Sequence, residues 1–403
     1  MGKKTIVSTG STLLDMTYEC TAILSELSEG QKHLLENKIH GKKLKLKSPA
    51  IYAAKENSVE VDFSNAEDAE VAGLGKIAFG VKNAEAAKTA GGGAYNTSAG
   101  IKRLNAGNPE LGCKILAKIG GKNGKPDKNG EILLNRLADS GIETDLIRFD
   151  DEANTGCSLV LSFEFGGKRN ITYLIYRGAA ETLSSKDLAA LEGGDIIGGV
   201  VANANNPWIT WKAIKKLSGK NRLVVYISSK IDMTEMREEL NAGNAQFLKG
   251  FENVIATVNE SEFDELQSDD NKQKVVESFA HFVVTKGADG GMHYSGDFNS
   301  PAHYGIAPDR PVFEVPKSQI NPNGAGDAFS ASLASQYIAQ NGECIRFDDL
   351  TIDIASCVAA CVCTRPSTTG GIPIFKSPDD GKKFGDEWRD QANAFDFLKW
   401  GIN

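Results

Sequence analysis

Short apolar runs rich in Val and Ile alternate with segments patterned as helices, and this alternation restricts the fold more than any other feature. Ile6-Val7-Ser8-Thr9-Gly10, Ile115 to Ile119, Leu223 to Ile227, Val254 to Val258 and Phe282 to Thr285 read as strands. Between them, Gly91 to Leu104 is a glycine turn feeding a helix, and Gly130 to Gly141 is an amphipathic helix closed by Gly141. Strands that are apolar on both faces need cover on both, and intervening helices supply it. The expected class is α/β: a three-layer α/β/α core with a mostly parallel central sheet.

Two regions break the rhythm. Thr17 to Lys88 is long, charged in places, and holds strand-like pieces such as Ser58 to Phe63. Ser158 to Tyr176 places Gly166-Gly167-Lys168-Arg169 between two β-rich runs, a hairpin signal. Together they imply a small β-sheet lid able to keep water from a reacting group. The expected division is 1–16, 89–157 and 177–403 for the core, with 17–88 and 158–176 for the lid and its insertion. An edge strand in that lid offers a surface for a homodimer, or the insertion covers it.

Composition excludes several classes. The chain has 403 residues, 41% of them hydrophobic, with a formal net charge of −8. That is enough apolar material for a sizeable core, and the charge argues against nucleic acid as a partner. The one basic run, with Lys38, Lys42, Lys43, Lys45 and Lys47, reads as a solvated loop or edge strand. No apolar run approaches the roughly 18 residues that would span a bilayer, so no membrane partner and a cytoplasmic location are expected. Cys357, Cys361 and Cys363 lack a zinc spacing and read as buried reduced thiols. The five histidines form no metal or triad pattern.

Chemistry gathers at a few places. Asn321-Pro322-Asn323-Gly324-Ala325-Gly326-Asp327 joins a turn-rich loop to a small-residue helix, Ala328 to Ala339. Small residues at a helix start leave N–H groups bare for an anion, phosphate above all. Beside them Asp327 is a lone acid, and the pair suits phosphoryl transfer to a hydroxyl. A tight turn with an Asp cap fits the same residues. Asp15 follows the first strand, where α/β sheets bind ligands; as an acceptor it suits neighbouring hydroxyls, or it caps a loop. Gly91-Gly92-Gly93-Ala94-Tyr95-Asn96 allows close backbone approach, with Asn96 as a hydroxyl partner or a helix cap. In Asn259-Glu260-Ser261-Glu262, Glu262 could hold magnesium-bound water, or start a helix. Thr285 to Gly291 is a turn of nucleotide-side or plain character. Gly124-Lys125 is followed by Pro126, so no P-loop exists, and no dinucleotide fingerprint follows Ile6-Val7.

In order and spacing these pieces resemble the ribokinase/PfkB family of carbohydrate and nucleoside kinases, from Ile6 to about Pro373 outside the insertion. Gly324 to Asp327 match its Gly-Ala-Gly-Asp signature; Gly91, Gly92 and Asn96 match its N-terminal one. Asn259 and Glu262 match Asn-x-x-Glu, and Arg177-Gly178-Ala179 its segment after the hairpin. The resemblance implies ATP and Mg2+ as cofactors and a sugar or nucleoside as small-molecule partner. It implies Asp327 as general base, and Gly324, Ala325 and Gly326 as the anion hole. Asp15, Gly91, Gly92, Asn96 and Arg177 would meet the acceptor. Asn259, Thr285, Gly287, Gly290 and Asn323 would lie along the nucleotide, and Glu262 would serve the metal. Potassium-dependent members carry Asp-Thr where this chain has Asn321-Pro322, so a monovalent cation is not among the expectations. The implied activity is ATP-dependent phosphorylation of a primary hydroxyl of a sugar. The alternatives are a nucleoside kinase of the same mechanism and a non-catalytic nucleotide- or sugar-binding protein.

Overall fold

The computed structural model describes residues 4–39, 43–48, 52–55, 57–82, 85–165, 168–202, 206–220, 222–304, 324–339, 349–363, 369, 371–377, 379–390 and 398–402. Its central sheet runs, in spatial order, Leu111–Leu116, Lys4–Gly10, Ile196–Ala202, Leu223–Ile227, Val254–Asn259, His281–Thr285, Gly291–Tyr294 and Ala302–Tyr304. Neighbours from the first to His281–Thr285 are parallel, and the last two strands return antiparallel.

Alternation along each strand divides the core between two helical layers. Val200, Val225, Ile255 and Val283 pack with the small-residue helix Ala325–Ala339 and the helix Asp349–Cys363. Val201, Val224, Ala256 and Val284 pack on the opposite side with Trp211, Met233 and Met236, from Pro207–Ser218 and Lys230–Asn241. The fold is thus the three-layer α/β/α core with a mostly parallel sheet. Cys357 and Cys361 are buried free thiols in it, and Cys363 is a half-buried one. Among the described residues no helix is long and apolar enough to cross a membrane.

A second sheet is built from the regions that broke the rhythm. Its order is Lys43–Lys45, Lys168–Tyr176, Cys157–Phe165, Leu13–Ile23, Lys76–Val81, Ser58–Asp62 and Tyr52–Lys55, with Ala87–Gly91 also paired to Leu13–Ile23. It has a core of its own around Leu14, Val61, Phe63, Ile77, Phe79 and Leu161. Phe79 is fully buried, its ring 5.4 Å from that of Phe163. Phe79→Ala is expected to cost about 3–5 kcal/mol of stability, read as a lower urea midpoint; an unchanged midpoint would mean that this core is loosely packed.

Three boundaries differ from the sequence reading. The run Ile115 to Ile119 is two strands. Leu111–Leu116 belongs to the central sheet, and Lys118–Lys122 pairs with Arg148–Asp150 in a separate small sheet. An unbroken apolar run does not reveal a change of partner. The helix expected from Ala328 begins at Ala325. Asp15 stands within Leu13–Ile23, because the chain re-enters a strand after only Ser11 and Thr12.

Candidate active site

The carboxyl ends of the central strands open onto a cavity of about 440 Å³, where open α/β sheets place ligands. Ser11, Ile227, Ser228, Thr257, Asn259 and Thr285 line it from those strand ends. The second sheet contributes Asp15, Lys43, Ser158, Tyr173, Ile175 and Arg177. Between them stand the first turns of two helices: Gly92, Gly93 and Asn96 from Gly93–Leu104, and Gly324, Gly326 and Asp327 from Ala325–Ala339. First-turn N–H groups have no partner within a helix, so two partly positive helix ends face one space.

Asp327 sits at the meeting point of these helices. Asn96 Nδ2 donates to its Oδ2 at 2.8 Å. Asn96 therefore orients the carboxylate rather than capping its own helix, whose cap position is Gly92. Burial pushes the Asp327 carboxyl up to about 6, against the Asn96 bond and the charge of Lys43, which pull it down. Gly324 turns the chain into the helix with φ of +80°, a conformation natural to glycine.

Asp15 faces the same cavity from the second sheet, in register with Ser158 on one side and Thr89 on the other. Burial raises its carboxyl to about 7, while Lys43 and the Ser158 hydroxyl lower it. Gly91 is what lets it stand there: a Cβ at that position would lie 2.0 Å from Asp15 Oδ2.

Asn259 and Glu262 form a reciprocal cap on Glu260–Phe263. Asn259 Oδ1 accepts from the Glu262 amide at 2.9 Å, and Glu262 Oε2 accepts from the Asn259 amide at 3.0 Å. Ser228 Oγ also donates to Oε2, at 3.4 Å. Both residues line the cavity, so the cap and the cavity wall are one arrangement. Burial raises the Glu262 carboxyl. Among the described residues no group of three or more His, Cys, Asp or Glu could hold a metal.

The other expected residues are placed unevenly. Thr285 lines the cavity and donates to Val258 O at 3.2 Å. Arg177 lines it too, its Nε 3.9 Å from Glu181. Gly287 and Gly290 form the turn after His281–Thr285, outside the residues that line the cavity. Ala325 is in the first turn of its helix, also outside that lining. Asn321, Pro322 and Asn323 fall outside the described residues.

Sequence reasoning missed Lys43, Ser158 and Ser228. Lys43 read as one of a solvated run, and only strand pairing reveals it. Lys43–Lys45 lies beside Tyr173–Ile175 and so borders the cavity. Ser158 could have been found from the hairpin, whose first strand pairs with Leu14–Glu19.

The raised carboxyls carry a stability signature. Between the ordinary Asp value and the folded values near 6 and 7, the folded chain holds protons that the unfolded chain has released. Their contribution to stability is therefore full at low pH and falls as pH climbs through the folded values. Asp15→Asn is expected to raise Tm most at about pH 8, by less at about pH 5, and hardly at all once pH falls below the ordinary Asp value of 3.8, in thermal melts. A pH-independent shift would show that Asp15 is not held in a desolvated place.

The model of the pfkB family carbohydrate kinases matches residues 78–374. No curated protein matches the chain. Among solved structures, the nucleoside kinase of Methanocaldococcus jannaschii, described as an archaeal member of the ribokinase family, is 18% identical, with a TM-score of 0.60 over 96% of this chain and 100% of its own. Adenosine kinase from Sinorhizobium meliloti is 16% identical, with a TM-score of 0.61 over 95% and 99%. Arabidopsis thaliana ribokinase, complexed with ribose and ATP, is 16% identical, with a TM-score of 0.57 over 96% and 99%. These likenesses concern the fold. The family match covers well over half of the sequence and includes the Asn96, Glu262 and Asp327 positions, so the chain belongs to the pfkB family of carbohydrate kinases.

Proposed function

We propose that this chain moves the γ-phosphoryl group of ATP onto a primary hydroxyl of a sugar. Asp327 takes the hydroxyl proton as the acceptor oxygen bonds to phosphorus. The bond from phosphorus to the bridging oxygen of ADP breaks, and ADP leaves with the electron pair. The amides of Gly324, Ala325 and Gly326 meet the charge on the transferring group. Asp15, Gly91, Gly92, Asn96 and Arg177 border the acceptor. Asn259, Thr285, Gly287, Gly290 and Asn323 border the nucleotide. The second sheet is the lid over both.

The observation that carries the reading is Asp327. It is an acid held by Asn96 in a helix first turn, at the floor of a cavity faced by Asp15. Its raised value of about 6 suits a base that must take a proton near neutral pH. Magnesium keeps most of its water and needs only one or two carboxylates beside phosphates. Glu262 fits: Ser228 Oγ and the Asn259 amide both donate to its Oε2. It would hold the ion through water, with Asn259 fixing the carboxylate. Bound there, magnesium supplies neutralisation of phosphate charge.

A ribonucleoside is the second reading, favoured by the aromatic rings of Tyr173 and Phe329 in the cavity wall. The polar surroundings of Asp15, with Ser11, Asn96 and Ser158, favour the sugar. An ATP-consumption screen over sugars, sugar acids and nucleosides separates them. ADP release with a sugar supports the first reading. Release with nucleosides alone supports the second, and release with no acceptor leaves a binding protein. In the same assay, Glu262→Gln is expected to raise the magnesium concentration needed for half-maximal rate by about tenfold; an unchanged requirement would remove Glu262 from that role.

A further inference from the structure

We propose that Lys43, brought to the cleft by an edge strand of the second sheet, donates a charged hydrogen bond to the phosphoryl group in transit. The inference rests on the phosphotransferase reading above.

Three observations support it. The first is position. Lys43 opens the three-residue strand Lys43–Lys45, which pairs with Tyr173–Ile175 in a sheet that also holds Asp15. Strand pairing therefore places it at the cavity wall rather than leaving it in a free loop.

The second is the absence of an ordinary partner. Lys38, Lys76 and Lys82 in the same part of the chain are ion-paired with Glu70, Glu60 and Glu19. Among the described residues no carboxylate stands within 4.0 Å of Lys43 Nζ, and its contact is the Tyr173 ring, 6.0 Å from Nζ to the centroid.

The third is charge. Asp15, Glu262 and Asp327 line the cavity, and a phosphoryl group entering it meets three acids. The field of Lys43 reaches all three and holds each carboxyl below where burial alone would put it. A cation that shares a cavity wall with three carboxylates, yet is ion-paired with none of them, suits an incoming anion. An ammonium on a four-carbon stem is a compact point charge that can follow phosphoryl oxygens during transfer.

The test uses the full chain with magnesium and ADP, with and without aluminium fluoride, which mimics the transferring phosphoryl group beside ADP. The readout is ADP affinity by calorimetry, so no acceptor need be known. Aluminium fluoride is expected to tighten ADP binding in the native chain. Lys43→Met should reduce that tightening by about 10- to 100-fold while leaving affinity for ADP alone within about twofold. Lys43→Arg should keep most of it, because the charge and the donor remain. A structural role would instead alter ADP alone and would not be rescued by Arg. Undiminished tightening in Lys43→Met overturns the inference and leaves the phosphotransferase reading intact. Failure of the native chain to bind ADP overturns that reading, and this inference with it.

Discussion

Asp327→Asn should lower turnover by about 10²- to 10⁴-fold while affinity for ADP changes little. The amide keeps the size of the carboxylate but cannot accept the acceptor proton. Asn96 Nδ2 now donates to Asp327 Oδ2 at 2.8 Å, and the oxygen of the substituted amide can still accept there, so the local fold has no reason to change. Steady-state kinetics with calorimetry of ADP binding separate the two quantities. A fall in affinity matching the fall in rate would mark a binding role. Near-normal turnover would remove Asp327 as the base.

The second large effect comes from a single methyl group. Gly91→Ala should lower kcat/KM by about 100-fold, the cost of misplacing a reacting group by about 1 Å. The new Cβ would stand 2.0 Å from Asp15 Oδ2, closer than any carbon and oxygen can approach without a bond. Either the Asp15 carboxylate or the strand Ala87–Gly91 must move, and these two strands share a paired register. A double-mutant cycle tests the route. In an Asp15→Ala background the extra methyl should cost little, because the obstruction has gone. Equal costs in both backgrounds would place the effect in the backbone instead.

The legible part of this molecule follows from short-range physics. Leu223–Ile227 and Val254–Asn259 were readable because strands covered on both faces are continuously apolar. The hairpin Cys157–Phe165 with Lys168–Tyr176 was readable from its glycine turn. In the site, Gly324 to Asp327 and Asn259 with Glu262 carry local motifs, and the structure places Asp327, Asn259 and Glu262 on one cavity.

What was not legible depends on pairing between distant segments. Asp15 looked like a loop residue because Thr9 to Thr12 carries turn formers, yet Leu14, Met16 and Tyr18 are buried in alternation as a strand requires. Lys43 looked like one solvated lysine among several, and nothing in its neighbourhood specifies Tyr173 as its partner in register. Ser158 reaches Asp15 only because two strands far apart in the chain lie in parallel register. The long insertion carries no motif, but its apolar residues, among them Val59, Val61, Phe63 and Ile77, fill a core of their own. That core gives Lys43 and Asp15 a firm sheet to stand on.

The most direct test of the central claim is acceptor-dependent ADP release measured against pH, in the native chain and in the Asp327→Asn and Asp15→Asn variants. The proposed mechanism requires Asp327 and Asp15, with values near 6 and 7, both to be ionised. In the native chain kcat/KM is therefore expected to climb steeply from acid pH and to level off only above about pH 8. Asp15→Asn should be slower and show a shallower climb, with one ionisation fewer. Asp327→Asn should be slow at every pH. Release that ignores the acceptor, or an unaltered pH profile at near-native rate in Asp327→Asn, would contradict the account.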